Sequence, residues 1–595
     1  MSENRKTLEE KKAERKTAEE ILTEEKIIEQ KKAERKITEE KIIEPKIAER
    51  KITEEKIENP QKAEEKIENP KITKEKIAEP KIENSKISDR QRSGQMDLKT
   101  TGIPLAGVLC LSILFMIFPE SSKRVLGAVR GFLGDDMGFC YILTGLGMFL
   151  FSVYLAFSRY GAICLGNGKK LYSDFKWGTM IFTSTMAADI LFYSLCEWAF
   201  YAAEPHIEAM GGVQEWAPVY PLFHWGPVPW SFYIVLAAAF GFMLHVRGRS
   251  RQKFSEACRP VLGNRVDGIW GTVIDLIAVF ALLAGTATTF SVATPLLASG
   301  ISSISGIRTG KGLTILILLL IAVVYTLTVW FGMKGISRLA AMCTWLFFAL
   351  LLYVLAGGGE AKYIIETGIG SVGNLVQNFV HLSTWMDPLR ESSFPQNWTI
   401  YYWAYWMVWC VATPFFIGTI SRGRTVKNTI LGAYACGLAG TFTSFIILGN
   451  YGLAQQMKHG LDTSGAIAGG EAVSDAVIKI FETLPLPAAG ILLLVITMIA
   501  FYSTTFDTLT MVVSSYSYKH LNVGQEPDKK IRTFWAVLFI LFPIALIFSE
   551  NSMNSLQSVS IIAAFPVSVI VILIAVGFVK DAKEYLKDAE TVRRD

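Results

Sequence analysis

The sequence predicts an all-α integral membrane protein with twelve transmembrane helices. The chain of 595 residues is 51% hydrophobic and 12% aromatic, while only 19% of its residues are charged. From residue 103 onward, apolar stretches long enough to cross a bilayer as helices recur along the chain. The net charge is only +5, which provides no strongly basic surface for nucleic acid. This composition argues against an ordinary soluble enzyme.

The first 95 residues are a different kind of polymer from the rest. They hold 25 Lys/Arg and 24 Asp/Glu and repeat a unit resembling K-I-x-E-E-K-I-E-N-P. Glu–Lys pairs favour helix, but prolines at residues 45, 60, 70 and 80 interrupt it. We expect a largely disordered cytoplasmic extension over residues 1–95. It is either a dispensable low-complexity segment or a tether or osmotic sensor, and the sequence leaves open whether Met96 is the true start.

The positions of the twelve spans are predicted from the lengths of the successive apolar stretches. They are expected near residues 103–119, 137–158, 178–201, 229–246, 268–300, 313–333, 337–356, 396–420, 428–449, 486–516, 531–549 and 557–579. The loops after even-numbered spans hold about twice as many Lys and Arg as the loops after odd-numbered spans. The positive-inside rule therefore predicts a multi-pass plasma-membrane protein with both termini in the cytoplasm.

The loop over residues 357–395 is long and, in this orientation, extracytoplasmic. Its apolar residues from Ile364 to Phe379 recur near helical spacing. We expect a helix that lies along the membrane interface or covers the outer mouth of the protein.

Four acidic residues fall inside predicted spans. They are Asp189, Glu197, Asp275 and Asp507. A carboxylate in the membrane is costly unless it is paired or faces a wet cavity, so each is a candidate site residue. For Glu197 and Asp275 we expect a structural hydrogen bond to a neighbouring helix.

Asp189 and Asp507 lie in stretches rich in small and hydroxyl residues. Span 3 carries Thr183-Ser-Thr-Met-Ala-Ala-Asp189, and span 10 carries Ser503-Thr-Thr-Phe-Asp507-Thr508. Hydroxyls and freed carbonyls are hard oxygen ligands for a small cation, and unwound helices are where transporters bind their cargo. The two stretches are predicted to form one ion site, with ordinary small-residue packing as an equal alternative.

Aromatic residues cluster at the starts of spans 8 and 4. Span 8 opens with Trp398-Thr-Ile-Tyr-Tyr-Trp-Ala-Tyr-Trp-Met-Val-Trp409, and span 4 with His224-Trp-Gly-Pro-Val-Pro-Trp-Ser-Phe-Tyr233. Trp406 and Trp409 are three residues apart, and so are Trp230 and Tyr233, so each pair shares a helix face. Two such faces turned toward each other form a box that attracts a quaternary ammonium ion, which has no N–H to donate. Lipid-facing aromatic residues are the alternative.

These segments resemble the betaine/carnitine/choline transporter family. The resemblance is carried by the Trp398–Trp409 segment, by Ile420-Ser-Arg-Gly-Arg-Thr425, by the span 4 aromatic segment, by Gly285-Thr-Ala-Thr288 and by the Thr504-Thr505-x-Asp507 segment. It covers residues from about 100 to 580 and leaves out the charged extension.

The resemblance implies an amino-acid-transporter-like (LeuT-type) fold with two inverted five-helix repeats. Two peripheral helices would occupy residues 96–177, the first repeat 178–356, the second repeat 396–580, and a cytoplasmic tail 581–595. It also implies a homotrimer that imports trimethylammonium compounds by alternating access.

Site residues follow from the resemblance by position. The expected substrate-binding residues are Trp225, Trp230, Tyr233 and Trp406, with Trp403 and Trp409 flanking the path and Tyr405 standing where the family commonly has Trp. The residues that match the sodium site of sodium-coupled members are Thr183, Met186, Phe501, Thr504 and Thr505.

Asp189 decides between substrates. Many family members have a glycine-rich run here, whereas choline-selective members resemble this chain in having Asp at this position. Choline is a net cation, so a pocket carboxylate is its natural counter-charge, and we predict cation-coupled choline import. A glycine betaine symporter and a carnitine/γ-butyrobetaine exchanger are the alternatives, although spans 3, 5 and 10 lack the arginine of exchangers. A channel or osmosensor is the other functional class. No enzymatic activity is expected.

Overall fold

The computed structural model describes residues 94–184, 187–331, 333–521, 525–548 and 553–594. The predictions for the charged extension concern residues outside these ranges. Within them the protein is all helical, and the only pairings of extended backbone are two isolated bridges, Met96 with Tyr518 and Cys164 with Thr425.

The helices of the first half precede residue 358. They are α1 Leu98–Ile117, α2 Pro119–Arg130, α3 Phe139–Phe157, α4 Asp174–Thr183, α5 Ala188–Ala202, α6 Pro205–Met210, α7 Val213–Trp216, α8 Val219–His224, α9 Pro227–His245, α10 Phe254–Ala257, α11 Arg259–Leu262, α12 Ile269–Ser305, α13 Lys311–Phe331 and α14 Met333–Gly357.

The second half continues in the same way. Its helices are α15 Ala361–Thr384, α16 Ile400–Trp409, α17 Thr413–Ile420, α18 Val426–Ser444, α19 Asn450–His459, α20 Thr463–Ala468, α21 Val473–Glu482, α22 Pro487–Tyr516, α23 Lys529–Phe548 and α24 Met553–Arg594. Short π-helical turns precede α16, over Pro395–Thr399, and follow α18, over Phe445–Gly449.

Each of the twelve predicted spans coincides with one helix or with two consecutive ones. Seven described helices are long and apolar enough to cross a membrane, or up to ten spans if each bent pair is counted as one. The protein is therefore a multi-pass membrane protein, and the count of twelve stays a prediction.

The core of the molecule lies around four helices. All of α16 and nearly all of α5 and α9 are buried, as is the middle of α12. The outer helices α3, α13 and α14 expose leucines such as Leu143, Leu316 and Leu352. An apolar outer surface around a buried aromatic centre is typical of a protein whose solvent is lipid.

Helix α15 lies in the segment for which an interfacial helix was predicted. Its axis turns by 110° from that of the preceding helix. Ile365, Ile369, Val376 and Val380 are all exposed on it. The position of α15 relative to a bilayer stays a prediction.

Candidate functional site

Two broken helices meet at the centre of the molecule. The chain bends by 64° between α4 and α5, and by 56° between the helix that ends at Trp409 and α17. Pro414 lies in the first turn of α17 and cannot donate to the carbonyl four residues earlier, which explains the second break. Such breaks free backbone carbonyl and amide groups at the depth where transporters bind their cargo.

A cavity of about 270 Å³ lies between these breaks. Its wall combines aromatic rings, hydroxyl groups and the carboxylate of Asp189. Among the described lining residues, the other side chains that can ionise are one cysteine and two tyrosines. The aromatic, hydroxyl-bearing and acidic residues of the lining include Thr183, Asp189, Trp225, Trp230, Tyr233, Tyr405, Trp406, Trp409, Thr413, Phe416, Thr504, Thr505 and Thr508.

Trp406 is the centre of an aromatic box, which we define as Trp225, Trp230, Tyr233 and Trp406. The centroid of its ring lies 4.7 Å from that of Tyr233, 5.3 Å from that of Trp230 and 5.6 Å from that of Trp225. The rings meet at angles between 54° and 64°, so they do not stack flat on one another. Tilted rings around one cavity can present their electron-rich faces to a bound cation.

Close helix contacts place the rings of the box. A Cβ on Gly437 of α18 would lie 2.6 Å from the Trp230 ring, so only glycine lets that ring lie against the helix. Trp230 and Tyr233 are three residues apart on α9 and therefore point to the same side. The sequence spacing and the small residue opposite together orient this side of the box.

The two remaining tryptophans named from the sequence differ in position. Trp409 lines the cavity, with its ring 6.4 Å from that of Tyr405. Trp403 does not line it, because its ring packs against α3, where a Cβ on Gly145 would lie 2.5 Å away. We therefore leave Trp403 out of the proposed site.

Asp189 and Tyr405 are held together on the cavity wall. The Tyr405 hydroxyl donates to Oδ2 of Asp189 at 2.6 Å and lies 2.5 Å from the Thr289 hydroxyl. Asp189 is in the first turn of α5, where the helix dipole stabilises a negative charge. The carboxylate is thus supported by a hydrogen bond and a helix terminus without a basic partner in the described lining.

The sodium-site candidates are partly gathered at the same cavity. Thr183, Thr504 and Thr505 line it, so hydroxyl oxygens from α4 and α22 face one space. Phe501 lies one turn before Thr504 and is buried, and its carbonyl accepts from the Thr504 hydroxyl at 3.0 Å. Met186 lies outside the described residues. Three hydroxyl groups near a broken helix are chemically suitable for a hard cation.

The other intramembrane carboxylates have partners of their own. Asp275 lies 3.4 Å from the buried Lys253, which agrees with the structural role expected for it. Asp507 forms an ion pair with Arg532 of α23, and it is not among the residues that line the cavity. The ion site suggested by the hydroxyl-rich stretch of span 10 therefore does not include its carboxylate.

Glu197 has a contact that the sequence does not reveal. Its Oε2 accepts from the indole N–H of Trp225 at 2.6 Å, so it touches a member of the aromatic box. The two residues are 28 positions apart and no short motif joins them. The one available signal was the presence of a second acidic residue in span 3.

Comparisons with known proteins show the family of this chain. The sequence model of the betaine/carnitine/choline family of transporters matches residues 99–587. The chain is 28% identical over 442 residues to the transporter YeaV of Escherichia coli (strain K12), which covers 73% of this chain and 91% of that protein.

Two further relatives are named for the substrates that they transport. A carnitine transporter of Acinetobacter baumannii is 27% identical over 435 residues, covering 72% of this chain and 79% of its own. A probable glycine betaine transporter of Desulfitobacterium hafniense (strain Y51) is 29% identical over 487 residues, covering 80% and 95%. Among solved structures, a sodium-coupled sialic acid symporter shares 14% identity with a TM-score of 0.35, covering 76% of this chain and 87% of its own.

Proposed function

This chain belongs to the betaine/carnitine/choline family of secondary transporters, and from that premise we propose that it imports choline by cation-coupled alternating access. It is a membrane transporter and not an enzyme. The observation that carries the choice of choline is the carboxylate of Asp189, which lies on the wall of the same cavity as the aromatic box.

The aromatic box and the carboxylate of Asp189 both suit the trimethylammonium group of a cationic substrate. A trimethylammonium group has no N–H, so aromatic faces rather than hydrogen-bond acceptors are its natural partners. Choline carries one positive charge and a hydroxyl group. Asp189 attracts that charge, and because its side chain is buried, less water screens the attraction than at the surface.

A zwitterion fits the described lining less well. Glycine betaine and carnitine carry a carboxylate, which Asp189 repels. The described lining residues offer no Lys, Arg or His to compensate this second negative charge. The carnitine and glycine betaine transporters among the relatives nevertheless make these two compounds the second candidates, with exchange as the alternative mode for carnitine-like compounds.

The broken helices support an alternating-access mechanism. The bent pair α4–α5 lies at the start of the first proposed five-helix repeat, and the pair α16–α17 at the start of the second. Equivalent breaks at the starts of two repeats are expected of an inverted-repeat transporter that binds its cargo at the midplane. We extend the proposal to a homotrimer in the plasma membrane with both termini in the cytoplasm.

This orientation assigns a direction to the open side of the cavity. Phe416 on α17 and Thr508 on α22 are the exposed members of its lining. Both helices run toward loops that the positive-inside rule assigns to the cytoplasm. The cavity would then be accessible from the cytoplasm in this conformation.

Sodium is the coupling ion that the hydroxyl groups support best. Thr183, Thr504 and Thr505 would supply oxygen ligands from both sides of the cavity. A sodium ion bound there would join α4 and α22 and link ion binding to the position of the broken helix.

Uptake by the purified protein in liposomes tests the proposal. Labelled choline is offered in sodium or in potassium buffer, with unlabelled choline, glycine betaine, carnitine or γ-butyrobetaine as competitor. We expect saturable, sodium-dependent uptake in which choline competes best. Stronger competition by a zwitterion would contradict the choline assignment, and uptake that requires preloaded substrate but no sodium would indicate an exchanger. Non-saturable flux would indicate a channel.

A further inference from the structure

Glu197 is a fully buried carboxylate that touches the aromatic box without lining the cavity. It lies on α5, two turns after Asp189, and its side chain has no exposed surface. Oε2 accepts from the indole N–H of Trp225 at 2.6 Å, and Oε1 accepts from the Tyr201 hydroxyl at 2.5 Å. Both oxygens of the carboxylate therefore accept a hydrogen bond from a buried donor.

Trp225 differs from the other tryptophans of the cavity in this bond. The indole nitrogens of Trp230, Trp406 and Trp409 are buried and have no hydrogen-bond partner in the described structure. The Trp225 indole is therefore the one whose ring plane is fixed by a carboxylate. Its ring centroid also lies 5.6 Å from that of Trp406, so the orientation of Trp225 helps to shape the box.

The groups around Glu197 can be arranged so that its charge is preserved. The Tyr201 hydroxyl has one proton, which it donates to Glu197. The Nδ1 atom of His224, 2.6 Å from the same hydroxyl, must then be the donor of that contact. Nε2 of His224 lies 3.0 Å from the Thr399 hydroxyl and, in a neutral ring protonated at Nδ1, accepts from it. A neutral histidine thus satisfies every contact, and the negative charge of Glu197 is not cancelled by an imidazolium.

We infer that Glu197 is a positioning and specificity residue of the substrate site that acts through Trp225. Its hydrogen bond fixes the plane of the indole ring, and its charge makes the face of that ring more attractive to a cation. The site therefore recognises the positive charge of its ligand through two carboxylates, one on the cavity wall and one behind an aromatic ring. The inference rests on the proposed quaternary ammonium site, but it does not depend on whether choline or a zwitterion is preferred.

A neutral ligand of the same shape separates charge recognition from packing. The probe is 3,3-dimethyl-1-butanol, in which a carbon atom replaces the nitrogen of choline. Glu197→Gln keeps the shape of the side chain and removes its charge. We expect the KM for choline to rise about fivefold to tenfold, with kcat changed less than about twofold and inhibition by the neutral probe unchanged.

The chain offers a matched control for this substitution. Glu204, two residues after the end of α5, accepts from the indole N–H of Trp398 at 2.7 Å. Neither Glu204 nor Trp398 lines the cavity. Glu204→Gln removes an equivalent carboxylate–indole bond, so we expect it to leave choline affinity unchanged. Trp225→Phe removes the N–H donor, and adding Glu197→Gln to it should weaken choline binding by less than Glu197→Gln does in the wild type.

The outcomes distinguish this inference from the proposed function. If the wild-type protein binds none of choline, glycine betaine and carnitine, the proposed function is wrong. If the wild type binds choline and Glu197→Gln weakens the choline and the neutral probe equally, Glu197 is only structural and the inference is overturned. Should Glu197→Gln not fold, Glu197→Asp has a shorter side chain that moves the carboxylate away from the Trp225 indole, and it must weaken choline more than the neutral probe. Unchanged choline affinity in either variant refutes the inference.

Discussion

Replacing Asp189 with Asn tests the step that assigns a cationic substrate. Asn has nearly the same shape as Asp, and its amide oxygen can still accept the hydrogen bond that Tyr405 donates at 2.6 Å. The substitution therefore removes the charge and leaves the aromatic box and the Tyr405 ring in place. Any change in preference between choline and glycine betaine then reports the charge alone.

The size of the effect follows from the depth of the site. A unit charge about 5 Å from a carboxylate gains roughly 3 kcal/mol at an effective dielectric constant of about 20. The bond from Tyr405 and the removal of water from the ligand reduce this gain, so about 1–2 kcal/mol remains. We expect choline affinity to fall on the order of tenfold, because about 1.4 kcal/mol corresponds to a factor of ten. Affinity for glycine betaine should stay level or improve.

The assay is competition for labelled choline by both compounds in liposomes that contain the wild type or the variant. Tyr405→Phe is the matched control, since it removes the hydrogen bond to Asp189 but leaves the charge. We expect this control to keep the preference for choline. If Asp189→Asn transports choline as the wild type does, Asp189 is not a counter-charge and the substrate is better sought among the zwitterions.

Three further predictions concern the aromatic box, the proposed sodium site and the loop before α15. Trp406→Ala should weaken substrate affinity about tenfold or more and Trp406→Phe less, because a desolvated cation–π contact contributes up to about 2 kcal/mol; unchanged affinity in the alanine variant would refute the box. Thr504→Ala combined with Thr505→Ala should raise the sodium concentration needed for half-maximal uptake and leave substrate binding at saturating sodium intact. Wild-type uptake that is equal in sodium and potassium but follows a proton gradient would contradict the sodium site. Hydrogen bonds from Lys458 and a neighbouring histidine lower the pKa of Glu360 in the loop before α15, so the stability they provide is present at neutral pH and lost as pH falls through that lowered value. Glu360→Gln should accordingly lower the Tm at pH 7, and the difference from the wild type should disappear in acid; a difference independent of pH would disagree with the ion pair.

The membrane character of the protein could be predicted from the sequence because it depends on composition and length. A bilayer requires long apolar helices, and the predicted spans lie within a few residues of the observed helices in most cases. For span 3, whose stretch after Thr183 is rich in small and hydroxyl residues, the sequence left an unwound helix and close helix packing as equal alternatives, and the same pattern in span 10 belongs to the continuous helix α22. The break after Trp409 was not predicted, although Pro414 is visible in the sequence as a residue that a continuous helix tolerates poorly.

The aromatic residues around the cavity could be predicted in part, because spacing along one helix decides which residues share a face. Spacing by three residues correctly paired Trp230 with Tyr233 on one face of α9. The same reasoning could not exclude Trp403, because every residue of α16 is buried and the sequence has no polar side from which to judge which face meets the cavity. Its exclusion came from the packing of its ring against Gly145 on α3.

The sequence by itself determined that this is a multi-pass helical membrane protein, and it predicted an aromatic box, a hydroxyl-rich ion site and a counter-charge at Asp189. Those properties reside in single residues or in local spacing. Only the tertiary structure decided that Asp507 is paired with Arg532 and that Glu197 is bonded to Trp225. Each of these pairs joins residues on different elements, 25 and 28 positions apart. The cost of burying a charge requires that such a group find a partner, but which partner it finds depends on how the helices pack.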